Sequence, residues 1–184
     1  MNQYKNVPTE ALLIAHASGM KDRELSSVFE VHVSTIKRWK KRLRLGSNDA
    51  RNNIGSQGER LLFDELVGYG FTVEQTPKGH DFDLQVNGHR VEVKTSVTSR
   101  GGSYRFRLNE RRASHHAQYR YQKDYRQDSD VIALVIVKDT GIEHLYLMPS
   151  TLWQPSITIH PSSVFCPYAP YLWAVELLRE AVAA

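Results

Sequence analysis

Cysteine is nearly absent: Cys166 is the single one in 184 residues. A lone thiol cannot close an internal disulfide, and no second cysteine or histidine stands at ligand spacing to it. A disulfide framework and a zinc cluster are therefore excluded, and Cys166 is expected as a small buried hydrophobe. Long apolar runs are missing too. No stretch approaches the roughly 18 residues that a membrane span needs, and Met1 to Glu10 lacks the basic-then-apolar order of a secretory signal. The chain is thus expected in the cytoplasm, with no membrane partner. No internal repeat is present, which sets aside a solenoid. The excess of positive charge is small, +4 with a pI of about 9.2, so its distribution says more than its total. What is present, 41% hydrophobic and 24% charged residues, suits a globular chain with one core and a small accessory domain.

The basic residues gather in two places. Lys37, Arg38, Lys40, Lys41, Arg42 and Arg44 form one cluster; Arg100, Arg105, Arg107, Arg111, Arg112, Arg120, Lys123 and Arg126 form the other. A charge run alone is often no more than a solvated face. Each of these adjoins a motif suited to nucleic acid.

Pro8 and Thr9 open a helical pattern in which Leu12, Leu13 and Ala15 to Ala17 recur until Ser18-Gly19 stops it. Asp22 reads as the N-cap of a second helix carrying Leu25, Val28 and Phe29 inward. Glu30 to Val33 links it to a third, capped by Ser34, whose face Ile36, Trp39 and Leu43 share. The stretch from Leu25-Ser26 to Thr35-Ile36-Lys37-Arg38-Trp39 resembles the helix-turn-helix of bacterial and phage DNA-binding proteins, with Glu30 where a turn glycine is usual. The resemblance implies that Thr35, Lys37 and Arg38 enter the major groove, and that Lys40, Lys41, Arg42 and Arg44 contact phosphates. Residues 1–46 form this expected all-α domain. The polar stretch 47–55 reads as a linker, and 56–184 as a second domain.

In the second domain Gln57 to Val67 reads as a helix burying Leu62 and Leu66. Glu59 stands three and seven positions before them, at the N-terminal end of the buried face, where an unpaired charge is costly. The segment His80 to Ser96, HDFDLQVNGHRVEVKTS, carries most information. Asn87-Gly88 is a type I′ hairpin signal, and a turn on those two residues pairs Val86 with His89, Leu84 with Val91, and Asp83 with Glu92. Asp83, Glu92 and Lys94 then share one face, while Leu84, Val86, Val91 and Val93 supply core on the other. Opposed carboxylates repel unless a cation lies between them. Oxygen-only ligands suit Mg²⁺, with Mn²⁺ as a substitute. In phosphodiester hydrolysis such an ion polarises the phosphate and lowers the pKa of water, and a nearby lysine positions that water or offsets negative charge. Asp81 lies on the same face and rivals Asp83 for the role.

Asp83, the hairpin and Glu92-Val93-Lys94 resemble the core motif of the PD-(D/E)XK nucleases, in which Glu59 matches an additional acid on the first helix. In order, Asp81-Phe82-Asp83-Leu84, Val91-Glu92-Val93-Lys94-Thr95, Tyr104-Arg105-Phe106, Val131 to Val137 and Tyr146-Leu147-Met148-Pro149 resemble the group I intron-associated homing endonucleases of that superfamily. The likeness covers residues 56 to 150 and departs from the family in lacking the motif proline and in carrying an added helix-turn-helix. It implies an α/β restriction-endonuclease-like mixed sheet flanked by helices. It further implies a Mg²⁺-dependent, site-specific endonuclease acting on double-stranded DNA in a bacterial or phage-infected cell. Catalysis would rest on Glu59, Asp83, Glu92 and Lys94, with Asp83, Glu92 and Glu59 on the metal. A cut through both strands implies a homodimer. Two other functions fit the same core: a structure-selective nuclease such as a Holliday-junction resolvase, and a non-catalytic DNA-binding regulator.

Beyond the hairpin, Tyr104, Phe106 and Leu108 alternate with Arg105 and Arg107, a strand with one basic face. Glu110 to Tyr125, including His115 and His116, reads as a DNA-facing surface. Val131 to Val137 and His144 to Met148 read as strands, and Tyr171 to Val182 as a short helix. Trp153, Tyr168, Tyr171 and Trp173 are expected to cap the core, with a dimer interface as the alternative.

Overall fold

Apolar spacing in the first part of the chain produces three short helices, α1 (Thr9–Ala17), α2 (Asp22–Val28) and α3 (Val33–Arg42), in the computed structural model. It describes residues 7–77, 80–113, 120–139 and 141–179. The chain divides into two units, Met1–Asn53 and Ile54–Ala184. In the first, Val7, Leu12, Leu25 and Ile36 are buried together, with Phe29, Trp39 and Leu43 packed around them. The caps lie one or two residues earlier than the sequence suggests. The Lys21 backbone N–H donates to the Glu24 carboxylate at 2.7 Å, and the Ser34 N–H donates to His32 Nδ1 at 3.2 Å. Glu30 takes a left-handed conformation (φ 49°) that lets the chain turn between α2 and α3 without a glycine.

The expected linker is only partly irregular. α4 (Ala50–Gly68) begins inside it, so residues 50–55 are helical. Polar residues cost little in a helix whose turns are closed by bonds such as Asn53 N–H to Asp49 O (3.2 Å).

Among the described residues of the second unit the strands are β1 (Val73–Gln75), β2 (Leu84–Val86), β3 (His89–Ser96), β4 (Ser99–Arg100), β5 (Ser103–Arg107), β6 (Arg111–Ala113), β7 (Arg120–Gln122), β8 (Val131–Lys138), β9 (Gly141–Pro149) and β10 (Ser156–Ile159). A four-residue helix, α5 (Tyr125–Asp128), precedes β8. The central sheet is mixed, in the order β1-β2-β3-β8-β9, with β3 and β8 parallel and the other neighbours antiparallel. Strand β8 is the apolar run VIALVIVK, buried on both faces as a central strand requires. Its alternate residues separate two cores. Ala133 and Val135 join Val91 and Val93 under Leu62 and Leu66 of α4. Ile132, Leu134 and Ile136 face Phe106, Tyr125, Ile157 and Ile159, contributed by α5 and by the small sheet β10-β5-β4.

The aromatic residues near the end of the chain go to these cores: Trp153, Tyr168 and Tyr171 to one and Trp173 to the other. The expected helix from Tyr171 does not form. The Trp173 N–H instead donates to Leu145 O at 2.7 Å, Leu172 bridges Tyr146, and Trp173 has φ 53°. Docking on the β9 edge takes the backbone that a helix would use, leaving a 3-10 turn at Val175–Leu178. Residues 180–182 of that expectation lie outside the described residues.

Candidate active site

The Asn87-Gly88 turn fixes the site. Both residues have positive φ (47° and 90°), as type I′ requires, and the register is Val86↔His89, Gln85↔Arg90 and Leu84↔Val91. At Asp83 the ladder departs from the simple pairing. The Asp83 N–H donates to Val91 O (3.0 Å), and its carboxylate Oδ2 accepts from the Val93 N–H (2.8 Å). Thr76, just past the end of β1, pins the same residue, its Oγ1 donating to Asp83 O at 2.9 Å. The side chain thus serves as the last rung of the hairpin, with Oδ2 engaged. Asp81, its rival, is exposed.

Glu92 is 1% exposed, on the face of β3 that carries no apolar residue of the hairpin. Its Oε1 accepts from Lys94 Nζ and its Oε2 from Lys123 Nζ. Both ammonium groups also lie over the Tyr125 ring, Lys94 at 5.7 Å and Lys123 at 4.9 Å from its centroid. Tyr125 is itself stacked on Trp153 (5.9 Å, interplanar 13°), so an aromatic wall backs the charged cluster.

Burial, and then the neighbouring Glu92 carboxylate, push the Asp83 carboxyl above the usual aspartate range, against the opposing pull of Lys94 and the Val93 N–H. Burial alone would raise Glu92 as well. The two lysines outweigh it and hold Glu92 below its ordinary value. The paired carboxylates are therefore unequal: one firmly ionised, the other held in a place that disfavours its charge.

Lys123 was legible in the sequence only as one cation of a basic surface. The fold takes it inward by three local devices. It directly follows β7, its N–H donates to Glu110 O (2.7 Å), and Asp124 caps α5 by accepting from the Arg126 N–H (3.0 Å). Tyr125 was likewise missed. On the other side of β3, helix α4 approaches closely at Gly58, where a Cβ would stand 1.9 Å from Thr95 Oγ1. Glu59 comes next and is half-buried in α4. Among the described residues no three acidic, histidine or cysteine side chains gather as a preformed metal cage. Glu59 is placed by α4, whereas Asp83 and Glu92 meet through the hairpin.

The expected DNA-binding residues divide. Lys37, Arg38, Lys41 and Arg42 are exposed on α3 and Thr35 is half-buried, with Arg42 stacked over Trp39 at 5.5 Å. Lys40 is 5% exposed and donates to Asp22 Oδ1 at 2.6 Å. It lies four residues after buried Ile36, hence on the inward stripe, and so is an internal ion-pair partner instead of a phosphate contact. Arg105 and Arg107 are exposed on β5 while Phe106 between them is buried, as the alternation implies. Arg105 Nε donates to Ser156 Oγ at 2.9 Å. His115 and His116 lie outside the described residues.

The mixed sheet with this hairpin at its centre has a counterpart among solved structures. A bacterial homing endonuclease, I-Ssp6803I, superposes with a TM-score of 0.51 at 18% identity, over 67% of this chain and 87% of that one. The fold is nuclease-like. Comparison of the sequence with known families and with curated proteins finds no match. Within the nuclease-like fold, no helix among the described residues is long and apolar enough to cross a membrane.

Proposed function

We propose that this chain is a divalent-metal-dependent endonuclease that hydrolyses phosphodiester bonds at specific sites in duplex DNA. One observation carries the reading: buried Glu92 stands beside Asp83, with Lys94 donating to it. Paired carboxylates in such a place cost stability and serve no packing purpose.

The residues fit a Mg²⁺ ion. Asp83 and Glu92 offer only oxygen, and Asp83 Oδ1 makes no hydrogen bond among the described residues. Mg²⁺ is commonly held by one or two carboxylates, the remaining positions going to water and phosphate oxygens. When bound, it would polarise the scissile phosphate and raise the acidity of water, Mn²⁺ serving as well. Lys94 Nζ, held between Glu92 and the Val93 carbonyl (3.3 Å), would orient the attacking water and offset charge developing on the phosphate. Glu59 enters this reading as the additional acid that the resemblance implies. The three-helix unit supports a duplex substrate, with Thr35, Lys37, Arg38, Lys41 and Arg42 available to a groove and its phosphates, and Arg105 and Arg107 serving on the catalytic unit.

The test is cleavage of supercoiled plasmid with and without Mg²⁺ by the full chain beside Asp83→Ala and Lys94→Ala. Metal-dependent cutting by the parent, lost in both variants while DNA binding persists, is expected. Binding without cutting of plasmid or branched DNA, in Mg²⁺ or Mn²⁺, would replace this reading with a DNA-binding regulator. Cutting confined to branched DNA would replace it with a structure-selective nuclease.

A further inference from the structure

Glu92 accepts one ammonium on each of its oxygens, and these come from different places. Lys94 is two residues along the same strand, whereas Lys123 arrives from the connection between β7 and α5. Both oxygens of Glu92 are thus taken by ammonium groups, in a place where Glu92 is 1% exposed and the Lys123 side chain 10%. A divalent cation that uses Glu92 must displace one of them. Lys94 is held by its own strand through the Val93 carbonyl (3.3 Å). Lys123 is the one joined to Glu92 across chain segments.

We propose that Lys123 is an exchangeable counter-ion: it occupies Glu92 Oε2 in the metal-free protein and yields that oxygen to the incoming divalent cation. This rests on the nuclease reading above. The Tyr125 ring, 4.9 Å from Lys123 Nζ and 5.7 Å from Lys94 Nζ, gives the released ammonium a second surface to rest against. Lys123 is thus a positioning residue at Glu92, set apart from Lys94 by giving way.

The test is Mn²⁺ binding by the full chain without DNA, followed by the electron paramagnetic resonance signal of free Mn²⁺, for the parent, Lys123→Gln and Lys123→Met. Removing a competing buried cation is expected to tighten Mn²⁺ binding about tenfold or more in both variants. The same variants should melt at lower temperature than the parent without metal and recover most of the difference at saturating Mn²⁺. Lys123→Gln keeps a donor on an uncharged side chain one atom shorter, so it remains informative should the Met variant fold poorly. Affinity equal to or weaker than the parent's, in a parent that cuts plasmid, overturns the exchange and leaves the nuclease standing. Absence of Mn²⁺ binding by all three folded proteins overturns both.

Discussion

On the proposed reading, Asp83 is the residue at which function and stability conflict most openly. Burial and Glu92 raise its pKa, so in the folded chain the ionised form is disfavoured relative to the unfolded chain. The resulting stability penalty is absent below the unfolded value, grows as pH rises through the interval up to the folded pKa, and is complete above it. Asp83→Asn removes the charge and keeps an oxygen for the Val93 N–H. In the metal-free protein it is expected to raise the melting temperature at pH 7 by a few degrees, about 1 kcal/mol, and to have no such effect near pH 3. Thermal melts of parent and variant at both pH values check this. An increase that persists at pH 3 would assign the effect to something other than the carboxylate. Glu92 has the opposite environment. Because its two lysines lower its pKa, it is a residue whose neutralisation harms the fold.

At the scale of elements, α3 shows how one helix separates structural from exposed cations. Lys40 turns in to Asp22 while Lys41, its neighbour, faces solvent. Lys40→Met is expected to destabilise the three-helix unit by about 1–3 kcal/mol by leaving Asp22 without its partner. Lys41→Ala should leave stability unchanged and lower the slope of log affinity for duplex DNA against log salt by about 1. Amide hydrogen exchange in α1 to α3 and salt titration of DNA binding separate the two effects. The same helix shows what was legible in advance. Its apolar stripe was readable from Ile36, Trp39 and Leu43, yet Lys40, on that stripe, was grouped with the cations around it. The β2-β3 hairpin was legible almost residue by residue, because a two-residue Asn-Gly turn leaves one register and side chains alternate strictly. Asp83, Glu92 and Lys94 followed from it. Lys123 and Tyr125 did not, because their place depends on how β7 and α5 pack against the sheet, and no local period encodes that. The missed 3-10 turns after Tyr171 have the same origin, a tertiary bond from Trp173 to the edge of β9 overriding a helical pattern.

For the molecule as a whole, on the proposed endonuclease reading, one Asp83–Glu92–Lys94 set per chain would limit each copy to one strand of a duplex at a time. A double-strand break then requires two copies, and linear product should rise more steeply with protein concentration than nicked product. Plasmid cleavage over a concentration series measures both; parallel rise of the two products at all concentrations would rule out paired action.

The parallel pairing of β3 with β8 has a consequence in time. A hairpin closed by a two-residue turn forms from neighbours in sequence, whereas the partner strand starting at Val131 must wait for a long crossover to close. Asp83 and Glu92 therefore meet early in folding, and Lys123, riding on that crossover, reaches them late. A nascent chain is therefore expected to pass through a stage in which the acidic pair has assembled without its second lysine.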